Sequence, residues 1–212
     1  MQVITDLSAC PWPDDRSVVT IGMYDGVHLG HRAVIGQVRD RARELGARSV
    51  VVTFDVHPMS VTRPQHAPRL LTTLERRLEL LESTGVDAVV VVRFDEAQSH
   101  ETAPDFVTRI LVDGLRTRAV IVGSDFHFGH GRQGNVTLLR EMGERHDFTA
   151  EPVRLVQRAD GVDEPVSSTA IRRALAGGEI DTASRMLGRP HEVHGTVADG
   201  DKRGRTIGFP TA

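Results

Sequence analysis

Residues 17–31 read SVVTIGMYDGVHLGH, and this stretch decides the fold. Its first five residues, SVVTI, predict a short buried strand. Residues 31–45 carry helical apolar spacing, and Gly46 follows as a stop. Strand, glycine turn and helix in that order open a βα unit, and an open α/β sheet binds its ligand at such a turn. Free backbone N–H groups at a helix start attract phosphate. Gly22, Gly26 and Gly30 let a polyphosphate approach the backbone closely. His28 and His31, three apart, share one face of the first turn, where both can donate to phosphoryl oxygens. The P-loop pattern with its Gly-Lys-Ser/Thr ending is absent, and GxGxxG does not fit. A pair of histidines can also ligate zinc, but a catalytic zinc needs a third protein ligand, and none is spaced for it.

The rest of the chain repeats the βα rhythm. Strands are expected at 48–54 (RSVVVTF), 87–92 (DAVVVV), 119–122 (AVIV) and 148–156. Helices are expected at 72–83, 103–112, 135–145, 168–176 and 180–187. Valine runs without polar alternation, separated by helices, predict an α/β fold: an open parallel sheet with helices on both faces. Gly188, Arg189 and Pro190 then punctuate the chain, residues 191–198 read as a strand, and GDKRG (200–204) reads as a turn. About 25 residues cannot bury a core of their own, so 188–212 are expected to open a second domain.

Composition limits the function classes. With 212 residues, one medium domain plus an extra piece is expected at roughly 150 residues per domain. Hydrophobic residues at 39% and charged residues at 26% describe an ordinary globular protein. Lys and Arg number 26 against 29 Asp and Glu, a net charge of −3, so no broad basic field invites nucleic acid. Cys10 is the sole cysteine, which excludes an internal disulfide and a multi-thiolate zinc site. The opening MQVITDLSACPWPDD lacks the basic and apolar regions of a secretory signal. No run approaches the roughly 18 apolar residues of a membrane span. A soluble, cytoplasmic protein is the expectation.

Three later segments sit where strands end or helices begin. TFDVHP (53–58) ends the second strand, GSDFHFG (123–129) ends the fourth, and VSSTAIR (166–172) opens a late helix. Ser168 and Thr169 fit an N-cap with Arg172 one turn later; capping and anion binding are compatible there. Aromatic residues make up only 4% of the chain, so Phe126 and Phe128 in one loop stand out, as a local core contact or as a ligand surface. His66, His100, His146, His191 and His194 read as surface residues, Trp12 as a packing anchor, and residues 74–79 (LERRLE) as a solvated helix face.

The HxGH signature at 28–31 resembles the nucleotidyltransferase superfamily, whose Rossmann-like fold transfers nucleotidyl groups from nucleoside triphosphates. Taken in order, the four segments resemble the FMN adenylyltransferase module of bacterial bifunctional riboflavin kinase/FAD synthetases. The tail GDKRGRTIGFPTA (200–212) resembles the opening of the riboflavin kinase module in the same family. Tyr24 stands where that family often has Phe, His127 where it often has Arg, and Asp125 where Asp or Asn occurs.

The resemblance implies an enzyme that joins ATP and FMN into FAD and pyrophosphate. His28, His31, Ser168, Thr169 and Arg172 are then the expected catalytic residues. Gly22, Tyr24, Asp25, Gly26, Gly30 and Asp125 are expected on the ATP side, and Phe54, His57, Pro58, Phe126 and Phe128 on the flavin side, with Phe128 preferred over the other rings to lie against the isoalloxazine. Magnesium is expected to be held mainly through phosphates, with no dedicated protein ligands. The implied division is 1–187 for the adenylyltransferase domain and 188–212 for the first strand of a truncated β-barrel kinase domain, so riboflavin phosphorylation is not expected of these residues. The partners implied are small molecules, with no nucleic acid and no membrane. Another HxGH transferase, or an idle nucleotide- or flavin-binding module, remains as an alternative.

Overall fold

The computed structural model describes residues 1–153, 156–196 and 208. A six-stranded sheet runs through it in the order β1-β4-β3-β2-β5-β6, with every neighbouring pair parallel. The strands are β1 (Gln2–Ile4), β2 (Ser17–Ile21), β3 (Arg48–Phe54), β4 (Ala88–Val92), β5 (Thr117–Gly123) and β6 (Thr149–Val153). The helices are α1 (Leu29–Leu45), α2 (Pro58–Thr62), α3 (Leu74–Glu82), α4 (Glu96–Ser99), α5 (Ala103–Phe106), α6 (Val136–His146), α7 (Ser168–Ala176) and α8 (Ile180–Leu187). α5 continues directly into a π-helical stretch, Val107–Gly114.

The valine runs are buried on both faces, as parallel strands under two helical layers must be. Val19, Val50, Val52 and Val90 pack on one face against Phe106, Ile110 and Leu139. Val51, Val89 and Val91 pack on the other against Ile35, Leu80 and Leu81. Each such side chain contributes roughly 1.5–3 kcal/mol by leaving water. α7 and α8 form a separate layer with Leu71 and Val166.

The topology places the ligand crevice. From β2 the chain proceeds to β3 and β4 on one side, then returns to β5 on the other. The sheet order reverses between β2 and β5, and their C-terminal ends diverge there, which is where open α/β sheets bind ligands.

Three elements differ from the sequence expectation. β1 was not anticipated: three residues give no readable period, and it pairs only with β4 at the sheet edge. Residues 191–196 form no strand: among the described residues no strand lies beside them to pair with, and Val193 is 89% exposed. The remainder of the expected strand, 197–198, and the turn at 200–204 lie outside the described residues, as do 154–155 of the expected fifth strand. The cap of α7 falls one residue early: the Ser167 side chain accepts from the Ala170 N–H, which leaves Ser168 free for another contact.

Candidate active site

A cleft of about 520 Å³ lies over the ends of β2 and β5 and under the start of α7. His28 caps α1: its Nδ1 accepts from the His31 N–H at 3.3 Å. This hydrogen bond places the His28 proton on Nε2, as a donor. The two imidazoles stack with centroids 3.5 Å apart and planes inclined by 18°. Tyr24 packs against His31 at 4.8 Å, and its hydroxyl shares a 2.6 Å hydrogen bond with Thr20.

Burial controls the charge of this pair. His28 is 5% exposed, and burial lowers its pKa from 6.5 to about 4, with Arg189 and Arg172 adding repulsion. Burial, then the His28 neighbour, holds His31 well below its ordinary value. Both rings are thus neutral at pH 7, and each offers an N–H donor rather than a cation. His31 Nδ1 is buried with no protein partner among the described residues. Gly30 fits closely beside them: a Cβ there would stand 3.1 Å from the His28 ring and 3.1 Å from the Val166 carbonyl, so a neighbour would have to give way slightly.

Across the cleft, Ser168 and Thr169 occupy the first turn of α7, and both line the space. Ser168 Oγ donates to the Asp25 carbonyl at 2.8 Å. Arg172, one turn on, forms an ion pair with Asp25 and donates through Nε to the Arg69 carbonyl at 2.6 Å. The Asp25 carboxylate also accepts from Leu71 N–H at 2.9 Å, Thr72 N–H at 3.1 Å and Thr72 Oγ1 at 3.2 Å. Asp25 borders the cleft at only 2% exposure, and its charge is consumed in tying residues 69–72 to α7.

The structure divides the other expected residues. Gly22, Gly30 and Asp125 line the cleft. Gly26 does not; with φ +82° it turns the chain against Leu71, where a Cβ would meet a side-chain carbon at 2.8 Å. Phe126 and His57 line the cleft, but Phe128 does not. Phe128 is 8% exposed and packs in the core near Phe106, with Phe126 stacked on it at 5.4 Å. Of the two rings, Phe126 is the one presented to a ligand. Phe54 is half-buried edge-on to Phe94 at 5.7 Å, and Pro58 starts α2; neither lines the cleft. His57 caps α2 by accepting from Met59 N–H, and burial, then Arg172, lowers its pKa. Among the described residues, no group of three or more His, Cys, Asp or Glu side chains could hold a metal ion.

Two arginines escaped the sequence reading. Arg77 was expected on a solvated face and is instead buried beside the cleft. Arg189 was read as punctuation, yet its Nε and Nη1 are buried without a partner among the described residues. Its neighbour Gly188 sits on Leu29, inside the HxGH turn, at 2.6 Å from a Cβ position. No periodicity could have announced either, because the burial of both arises only from tertiary packing.

An open parallel α/β sheet with an HxGH turn at its switch point has the architecture of the nucleotidyltransferases. The FAD synthetase family model matches residues 10–170, and the riboflavin kinase model matches residues 187–212. This chain belongs to the FAD synthetase family. It is 43% identical to a bifunctional riboflavin kinase/FMN adenylyltransferase of Pseudomonas fluorescens, over 94% of this chain and 63% of that protein. The Escherichia coli K12 protein of the same name is 40% identical with the same coverage. That of Haemophilus influenzae is 39% identical over all of this chain and 68% of the relative. The chain thus spans about 63% of the length of the first two of these relatives. A solved structure described as a macrolide-efflux protein from Streptococcus pneumoniae is also similar, with a TM-score of 0.77, 26% identity, and coverage of 98% of this chain and 66% of that one. Among the described residues of this chain, no helix is long and apolar enough to cross a membrane.

Proposed function

We propose that this chain is an FMN adenylyltransferase: it transfers AMP from ATP to FMN, giving FAD and pyrophosphate. The observation that carries the reading is the stacked, neutral His28–His31 pair facing the first turn of α7 across one cleft. An FMN phosphate oxygen attacks the α-phosphorus of ATP; the new P–O bond forms as the bond to the β-phosphate oxygen breaks. The FMN phosphate is already a competent nucleophile at pH 7, so no covalent enzyme intermediate is needed. Positioning and charge stabilisation do the work.

His28 and His31 donate N–H bonds to the α-phosphate as negative charge grows on its oxygens. Neutral donors do not depend on a proton from solvent, so the pair is in its working state across the neutral range. Ser168, Thr169 and the free N–H groups of α7 receive the β- and γ-phosphates. Arg172 has Nε and Nη2 engaged by Arg69 and Asp25, which leaves Nη1 for the departing pyrophosphate. Gly22, Tyr24 and Gly30 shape the nucleotide side, while Asp25 and Gly26 hold that loop from behind. Phe126 and His57 face the flavin side, backed by Phe128, Phe54 and Pro58.

A magnesium ion, where bound, would supply charge neutralisation on the triphosphate, held mainly by the phosphates and with few protein ligands. The donor set fits that mode: Asp25 is already saturated, and exposed Asp125 is the carboxylate left to offer an oxygen. We assign residues 1–187 to the transferase domain and 188–212 to the opening of a riboflavin kinase domain, so the parent protein carries both activities. The single cysteine and the metabolic substrates support a cytoplasmic enzyme with small-molecule partners.

The test is to incubate the chain with ATP and magnesium against a panel of acceptors: FMN, riboflavin, phosphopantetheine, nicotinamide mononucleotide and glycerol phosphate. FAD from FMN alone supports the reading. Adenylylation or nucleotidylation of another acceptor, or ATP binding with no product, rejects it.

A further inference from the structure

Arg77 lies on the first turns of α3 and is 2% exposed, yet it makes no ion pair among the described residues. Burial lowers its pKa; Asp25, Asp55 and Glu75 oppose that only from a distance. Its two Nη atoms donate to backbone carbonyls of the turn after β2 and the end of β3, while its Nε is buried without a partner among the described residues. Nη1 donates to the Met23 carbonyl at 2.8 Å, and Nη2 donates to the Phe54 carbonyl at 2.7 Å. Thr53 Oγ1 reaches the same Met23 carbonyl at 3.1 Å.

These carbonyls stand at the C-terminal ends of β2 and β3. Met23 opens the turn that leads to His28 and His31, and Phe54 precedes the turn that carries His57. The paired register of β2 and β3 ends at Ile21 and Val52; one more backbone bond follows, from Gly22 N–H to the Val52 carbonyl at 3.0 Å, and beyond it the two segments enter separate turns. The guanidinium fork spans the gap that opens there. Burying a cation for two carbonyl contacts costs stability that an apolar residue would not. A rigid planar fork, unlike a flexible ammonium, fixes the distance between its two acceptors.

We propose that Arg77 is a positioning residue: it sets the spacing between the HxGH turn after β2 and the His57 turn after β3, and so aligns the two bound substrates. It does not line the cleft and touches neither substrate. The proposal rests on the adenylyl-transfer reading only for what occupies the two sides; the bridge itself does not depend on it.

The test compares wild type with Arg77→Lys and Arg77→Met. ATP and FMN affinities are each measured alone by calorimetry, turnover is measured at saturation, and backbone amide exchange is followed at residues 22–28 and 54–58. Misplacement of reactants by about 1 Å costs on the order of 10²-fold in rate. Arg77→Met is therefore expected to lose about 10²-fold in kcat and Arg77→Lys about 10-fold, since one ammonium cannot hold both carbonyls at fixed spacing. Single-substrate affinities stay within about threefold, because each half-site remains intact. Exchange speeds up in both turns together. A melting temperature that falls while kcat per folded molecule and exchange in the two turns stay at wild-type values overturns the proposal. If Arg77→Met fails to fold, Arg77→Lys decides between these outcomes. If wild type itself makes no FAD, the transferase reading fails, and exchange in the two turns still decides whether Arg77 holds them.

Discussion

Asp25, in the turn after β2, and Arg172, on α7, lie 147 residues apart in sequence and form an ion pair at the edge of the cleft. The pair ties the last helical layer to the turn after β2, and it fixes Arg172 beside the first turn of α7, where the proposed mechanism places the triphosphate. The two partners are not equivalent. Without Arg172, Asp25 keeps the Leu71 and Thr72 donors. Without the Asp25 charge, Arg172 loses its only carboxylate partner among the described residues.

Asp25→Asn and Arg172→Ala therefore separate stability from turnover. Removing one partner of a buried pair costs about 3–5 kcal/mol. Urea unfolding of Asp25→Asn is expected to show a loss in that range, and that of Arg172→Ala a smaller one. Arg172→Ala is expected to lose turnover instead, by about 10²-fold or more, as when a charge-stabilising donor is removed. Equal stability losses, or full turnover by Arg172→Ala, would argue against this division.

His28→Ala removes the N–H donor that the proposed mechanism directs at the α-phosphate. The chemical rate should fall by about 10²–10³-fold, measured by single-turnover kinetics so that product release does not mask it. A variant with wild-type single-turnover rate would remove His28 from the catalytic group.

Acid should weaken the fold through the same residue. The His28 pKa of about 4 lies below its ordinary 6.5. Between those values the unfolded chain takes up the proton and the folded chain does not. Stability from this group is thus fully present above about 6.5, declines as pH falls, and is lost below about 4. The displacement corresponds to on the order of 3 kcal/mol, and burial of His31 acts with the same sign. Urea unfolding of wild type and His28→Asn from pH 7.5 to 4.5 checks this; the variant should show the shallower dependence, and identical slopes would refute it.

Gly30→Ala tests how tightly the HxGH turn is built. The added Cβ meets the His28 ring and the Val166 carbonyl, each at 3.1 Å, so one of them must move. A folded protein with about 10-fold lower kcat is expected, because a small displacement of His28 suffices. Wild-type kcat would mean that the turn has room to spare.

Much of this arrangement was legible in the sequence, for a physical reason. Unbroken valine runs at β3 and β4 can only be strands covered on both faces, and the glycine turn before His28 can only open a helix there. Residues 168–176 and 180–187 were read with their observed bounds because helical periodicity and the two glycines between them agree. The ligand side of each loop was harder. Phe126 and Phe128 alternate along the loop, which places them on one side, but the stack leaves only Phe126 at the cleft. Asp25 was expected on the ATP side and does border the cleft; the sequence did not show that its carboxylate also ties segments together, because its donors come from residues 71, 72 and 172. Arg77 looked solvated, because a charge on a helix says nothing about the carbonyls that tertiary structure brings to it.

Transfer of the α-phosphorus itself is the most direct test. ATP labelled with ³²P at the α-position is mixed with FMN, magnesium and the chain, and both products and protein are counted. Direct attack by FMN predicts label in FAD in step with unlabelled pyrophosphate, none on the protein with or without FMN, and none on riboflavin. Label on the protein, or consumption of ATP with no labelled FAD, would contradict it.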